Sequence, residues 1–134
     1  MKSLKVLVVD DSGAVRRFLR SVFESIESLE VEIDEANQGL EAFMKTKYAM
    51  EAGNGYDLIT LDINMPDFDG RSFMEQLSKL PMEEDELPKV IAVSAISETK
   101  TKRDMLSLGC CAYQVKPFNE ADFIQLIHQE LELS

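Results

Sequence analysis

An open α/β domain, with five parallel strands and helices on both faces of the sheet, is the fold class this sequence predicts. Short apolar runs of strand length alternate five times with apolar stripes of helical spacing. The most apolar runs carry no polar face, as strands covered on both sides require. The chain of 134 residues holds five such β-α units, whereas a closed barrel would need about eight.

The first strand is Val6-Leu7-Val8-Val9, a continuous apolar run. Val15, Leu19, Val22, Phe23 and Ile26 then recur on one side of a helix. From Val31 to Glu35 apolar and acidic residues alternate, which predicts a second strand with a wetter face. Leu40, Phe43 and Met44 mark a second helix that gives way to the loop around Gly53-Asn54-Gly55. Leu58-Ile59-Thr60-Leu61 is the third strand, and Phe73, Met74, Leu77 and Leu80 stripe the third helix. Pro81 and the acidic run Glu83 to Glu86 break that helix before the fourth strand, Val90-Ile91-Ala92-Val93. A helix over about Glu98 to Leu108 stops at Gly109, a residue suited to the left-handed close of a helix. Strand five covers about Cys111 to Val115, and Phe123, Ile124, Ile127 and Leu131 stripe the last helix.

The first, third and fourth strands are the most apolar, so the second and fifth are expected at the edges. That fits strand order 2-1-3-4-5 in a doubly wound, flavodoxin-like sheet occupying residues 1–134 as one domain. Hydrophobic residues make up 45% of the chain, enough for a core that needs neither disulfide nor structural metal. Fourteen Lys and Arg against 25 Asp and Glu give a net charge of −11. This excludes bulk attraction to nucleic acid or to an anionic membrane and favours a cation or a basic partner. Cys110 and Cys111 are the only cysteines; as strand neighbours they point to opposite faces, so both are expected reduced. With the single His128 they supply no closed zinc site. The start is too short in apolar residues for a signal peptide, and no run approaches the ~18 of a membrane span, so a cytoplasmic protein is expected.

In such a sheet ligands bind beyond the carboxyl ends of the strands. Strand one ends at Asp10-Asp11, strand three at Asp62, strand four at Ser94-Ala95 and strand five at Lys116-Pro117. Each has an ordinary role when taken alone. Asp10 or Asp11 can cap the helix that starts near Ser12, Ser94 can cap or face solvent, and Lys116 can be a surface charge. Together they bring three carboxylates, a hydroxyl and an ammonium to one rim. Three aspartates repel one another, and a hard divalent ion, Mg²⁺ or Mn²⁺, relieves that repulsion with oxygen ligands and retained water. A carboxylate flanked by such an ion, an ammonium and a hydroxyl suits nucleophilic attack on phosphorus, with an aspartyl phosphate as the product.

The motifs Asp10-Asp11-Ser12, Leu58 to Gly70 (LITLDINMPDFDG), Ser94-Ala95 and Lys116-Pro117-Phe118 resemble the receiver domain of two-component response regulators, over essentially the whole chain. The resemblance implies that Asp62 is the phosphoacceptor. It also implies that Asp10, Asp11, Asp62 and the backbone carbonyl of Asn64 hold the metal. Ser94 and Lys116 would contact the phosphoryl group, and Tyr113 would reorient with Ser94. Ser94 stands where the family often has threonine. Ile96, beside Asn64, is placed to hinder a water attacking the phosphoryl group.

The expected function is therefore a chemotaxis-type, stand-alone receiver rather than an enzyme. It would take phosphate from a histidine kinase or phosphotransfer protein, release it slowly, and signal to a target protein. The expected target face is the fourth helix, fifth strand and fifth helix, with Lys100, Lys102 and Arg103 as candidate contacts on the fourth helix. The alternative is an aspartate-nucleophile phosphatase. By resemblance that class needs a second acid two residues after the nucleophile, and here that position is Asn64, which cannot act as a general acid. A flavin or nucleotide binder would need a Gly- or Ser/Thr-rich loop after strand one, where Asp10-Asp11 instead repels phosphate.

Overall fold

The computed structural model describes residues 2–132. Among them the chain alternates without interruption: β1 (Lys2–Val9), α1 (Gly13–Glu24), β2 (Leu29–Ala36), α2 (Gly39–Glu51), β3 (Leu58–Leu61), α3 (Gly70–Ser78), a 3-10 turn (Glu84–Glu86), β4 (Lys89–Ser94), α4 (Thr99–Ser107), β5 (Ala112–Val115) and α5 (Glu120–Glu130). The sheet runs β2-β1-β3-β4-β5 and every pairing is parallel. The predicted order and both edge strands are thus observed.

The continuous apolar runs work because successive side chains enter different layers. Leu7, Val9, Ile59, Leu61, Val90 and Ala92 face one layer, where Phe73, Met74 and Leu77 of α3 and Met105 of α4 close over them. Val6, Val8, Leu58, Ile91 and Val93 face the other, against Leu19, Val22 and Phe23 of α1 and Phe123 and Ile127 of α5. Phe23 and Phe123 meet edge to face, 6.1 Å between ring centroids, a favoured aromatic geometry. Cys110 belongs to the first layer and Cys111 packs against the second, and both are free thiols.

Several boundaries differ from the sequence reading. β1 begins at Lys2 rather than Val6, because Lys2 to Lys5 pair with Leu29 to Glu32 on a stretch of β2 that extends beyond β3. Only from Val6 onward is β1 flanked on both sides, and only there is it uniformly apolar. The cap of α1 is Ser12, whose hydroxyl accepts the Val15 amide at 3.3 Å; it is neither Asp10 nor Asp11. Asp10 instead accepts the Ser12 amide (2.9 Å), forming a turn just outside the helix. α4 is shorter than expected, with Glu98 as its N-cap, and Gly109 closes it at φ 116°.

One glycine sets how closely the β3–α3 loop approaches α2. A Cβ built on Gly39 would lie 1.9 Å from the Phe68 carbonyl oxygen and 2.7 Å from its ring. Backbone cannot yield as a flexible side chain can, so Gly39→Ala must push the loop bearing Phe68 away. The expected cost is about 1–3 kcal/mol, read as a lower denaturant midpoint. An unchanged midpoint would show that the loop moves freely.

Candidate functional site

The parallel ladder delivers the site by continuing one residue past the strands. The Asp62 amide donates to the Val9 carbonyl (3.0 Å), the Asp10 amide to Ala36 (3.1 Å) and the Lys116 amide to Ser94 (2.8 Å). These bonds fix the backbone at the carboxyl ends of β1, β3 and β5 to one level. Oxygens of Asp10, Asp11 and Asp62 consequently lie within 4.8 Å of one another. Asp10 and Asp62 are buried, at 1% and 6% exposure, while Asp11 is exposed.

Among the described residues, the cation paired with these carboxylates is Lys116, which reaches inward from the end of β5. Its Nζ lies 2.8 Å from Asp10 Oδ2 and 4.0 Å from Asp62 Oδ2. Asp62 therefore sits near an ammonium without being tightly paired to it. Burial pushes the Asp62 carboxyl up and the charge of Asp10 pushes it further. Lys116 and the Asn64 amide pull it back only in part, leaving it at about 6. That Asn64 amide donates to Asp62 Oδ1 at 3.2 Å. Gly70 lets α3 begin hard against the same turn, since a Cβ there would stand 2.8 Å from Ile63 Cα. The donor set is all oxygen and crowded with negative charge, so a hard divalent cation fits it.

The remaining predicted residues form a second group beside the first. Ser94 is fully buried at the end of β4, and its Oγ accepts the Ile96 amide (3.2 Å). Tyr113, half-buried on β5, donates its hydroxyl to the Ile96 carbonyl (2.7 Å). Burial raises the Tyr113 pKa, and the Ser94 hydroxyl opposes that rise. Ser94 and Tyr113 thus meet on the short loop after β4.

Arg16 and Glu35 were not legible as site residues. Arg16 Nη1 donates to the Asp10 carbonyl (2.7 Å) while its Nε donates to Glu35 (2.9 Å). The two charges lie nineteen positions apart on different elements, so no spacing pattern links them. A cavity of about 640 Å³ lies away from all these groups and is lined by Met74, Leu77, Met82, Leu87 and Leu108, among others. No cluster of carboxylates converges on it, so the chemistry belongs to the rim. Next to Lys116, Val15, Phe18, Pro117 and Phe118 line a small apolar hollow. Among the described residues, no helix is long and apolar enough to cross a membrane.

Residues 6–128 match the family described as response regulator receiver domain. The chain is 35% identical over 128 residues to the chemotaxis protein CheY of Treponema pallidum, covering 96% of this chain and 83% of that protein. It is 40% identical over 117 residues to a protein-glutamate methylesterase/protein-glutamine glutaminase of Caldanaerobacter subterraneus, covering 87% of this chain but 29% of the relative. Among solved structures, the CheX-CheY-BeF3-Mg complex from Borrelia burgdorferi contains a chain that superposes with a TM-score of 0.80 at 32% identity. That match covers 96% of this chain and 89% of the other. The response regulator domain of Thermotoga maritima CheB superposes with a TM-score of 0.76 at 28% identity over 99% of both chains.

The crowding at Asp62 has a consequence for stability. Its folded pKa of about 6 lies above the ordinary value of 3.8. Between those values the native state keeps a proton that the unfolded chain has lost, so this group's contribution falls as pH rises through the window. In metal-free buffer, Asp62→Asn should be more stable than wild type near neutral pH, by up to about 3 kcal/mol, and little different near about pH 4. Urea midpoints at the two pH values test this; equal differences at both would remove the buried-charge account.

Proposed function

Because the chain belongs to the response regulator receiver domain family, we propose that it is a phosphoacceptor module of two-component or chemotaxis signalling, with Asp62 taking the phosphoryl group. The observation that carries this reading is a buried carboxylate held beside two other aspartates and within 4.0 Å of the Lys116 ammonium. In this reading residues 1–134 act as one receiver unit in the cytoplasm. Its donor is a histidine kinase or phosphotransfer protein.

An Asp62 oxygen attacks phosphorus, the phosphorus–nitrogen bond of the donor histidine breaks, and the imidazole leaves. Asp10, Asp11, Asp62 and the Asn64 carbonyl would hold a Mg²⁺ or Mn²⁺, which would supply neutralising charge for phosphoryl oxygens. Lys116 meets another phosphoryl oxygen from the opposite side, and its tie to Asp10 sets the direction of approach. The apolar hollow of Val15, Phe18 and Phe118 adjoins Lys116 and gives the donor protein a seat beside the acceptor.

The new phosphoryl oxygens offer Ser94 a charge-assisted hydrogen bond. Ser94 Oγ accepts from the Ile96 amide, and Tyr113 donates to the same residue's carbonyl. A shift of Ser94 therefore changes the balance of positions for Tyr113 and the surface of α4, β5 and α5. That surface, with Lys100, Lys102 and Arg103, is the proposed target face. Ile96, on this loop, is the residue proposed to hinder an attacking water and so to slow loss of the phosphoryl group. Asn64 in place of an acid argues against phosphatase turnover.

With Mg²⁺ and acetyl phosphate the protein should gain one phosphoryl group by intact mass, labile to base and hydroxylamine. Asp62→Asn should gain none; full phosphorylation of that variant would place the acceptor elsewhere. Ser94→Ala should still accept phosphate at Asp62 but respond less. Beryllofluoride adducts of the two proteins, compared by NMR over residues 94–118, test that separation. Equal displacements in both, or none around Tyr113 in wild type, would sink the proposed switch.

A further inference from the structure

Asp10 is held on every side. Its amide donates to Ala36, its Oδ1 accepts from Ser12 and its Oδ2 from Lys116. Asp11, the exposed member of the acidic cluster, points wherever the Asp10–Asp11 peptide directs it. The carbonyl of that peptide is the Asp10 oxygen, and Arg16 Nη1 donates to it at 2.7 Å.

Arg16 sits in the first turn of α1, and its side chain folds back past the helix start toward this peptide. What directs it is Glu35, near the end of β2. One Glu35 oxygen accepts from Arg16 Nε (2.9 Å); the other accepts from Arg20 Nε (3.2 Å) and Nη2 (2.9 Å). Lys45 Nζ, from α2, binds the Glu35 backbone carbonyl at 2.6 Å. Burial raises the Glu35 carboxyl, but Arg20 and Arg16 more than offset this and hold it below the usual carboxylate range. The knot joins α1, α2 and β2, and it reaches the acidic cluster through the Arg16–Asp10 bond.

We propose that Arg16, oriented by Glu35, is a positioning residue for the cation site: it fixes the Asp10–Asp11 peptide plane and so aims the Asp11 carboxylate at the metal. The inference rests on the cation-binding reading of Asp10, Asp11 and Asp62. The guanidinium fork is needed because two of its nitrogens act at once, one on Glu35 and one on the Asp10 carbonyl; a lysine offers a single nitrogen. Glu35 has a second role. A positive charge beside a cation site repels the ion, and the paired carboxylate offsets part of that field.

Positioning and plain repulsion predict opposite signs, which makes the test sharp. If Arg16 acted only through its charge, Arg16→Met would bind Mg²⁺ more tightly and Arg16→Lys would bind it unchanged. If it positions Asp11, both variants bind Mg²⁺ more weakly, by about fivefold, the worth of one net hydrogen bond. The experiment titrates Mg²⁺ into wild type, Arg16→Lys and Arg16→Met and follows backbone amide shifts. It is run well below each melting temperature, so that a loss of global stability does not enter. In the metal-free spectra the Asp11 and Ser12 amides should already be displaced in both variants. Wild-type binding with equal or tighter binding in Arg16→Lys and Arg16→Met overturns the positioning role while leaving the cation site intact. No binding by wild type overturns the cation reading, and this inference with it.

Discussion

Asp10 and Asp62 are brought together by the sheet rather than by any attraction between them. Parallel pairing continues one residue past β1 and β3, through the Asp10–Ala36 and Asp62–Val9 backbone bonds, and each aspartate is the residue so fixed. Neither can retreat without breaking a ladder hydrogen bond beneath which Val8, Leu61 and their neighbours are fully packed. Hydrophobic burial thus holds two carboxylates where electrostatics disfavours them. The cost appears at Asp62, whose carboxyl rises to about 6. Lys116 meets part of the charge, but it lies closer to Asp10 than to Asp62. The unmet part is what a bound cation would relieve.

The same constraint explains why cations on this strongly acidic protein matter beyond their number. Arg16, Arg20 and Lys45 converge on Glu35, and Lys116 on Asp10, so the carboxyl pole is built from opposite charges in fixed geometry. Elsewhere the pairing has a different object. Arg71 at the start of α3 and Lys100 on α4 share Asp104, tying together two helices of one layer. These pairs are partly exposed and worth little to stability singly, so their value lies in orientation.

The layers of the fold were legible because each depends on a short local pattern. Val6 to Val9, Leu58 to Leu61 and Val90 to Val93 are apolar on both faces, and only a central strand of a doubly wound sheet uses such residues. Asp10, Asp62 and Lys116 were legible for a related reason: in this fold the end of a strand is the site, so finding strands finds the residues. The helix cap escaped because Asp10, Asp11 and Ser12 all have capping side chains, and only the backbone direction after β1 selects Ser12. The first residues of β1 escaped because they pair on one side alone and need no apolar pattern. Arg16 and Glu35 escaped because long charged side chains reach partners that periodicity does not see.

The site is a rim, and its openness follows from which groups are covered. Asp10, Asp62 and Ser94 are buried from below by the sheet and its helices, while Asp11 and Asn64 stand exposed above them. A pocket that enclosed a small substrate would instead need walls around its reactive carboxylate, whereas the cavity of about 640 Å³ is lined by apolar side chains with Ser78, Asp85 and Lys89, away from these aspartates. An acceptor that takes its group from a second protein has the opposite need. Its nucleophile must be reachable by a side chain on another fold, yet be held rigidly enough that approach alone sets the geometry of attack. Asp62 meets the second requirement: its backbone is locked to Val9, its Oδ1 is turned by the Asn64 amide, and its Oδ2 lies 4.0 Å from Lys116 Nζ. That rigidity follows from one choice, the placing of Asp62 one residue beyond a central strand.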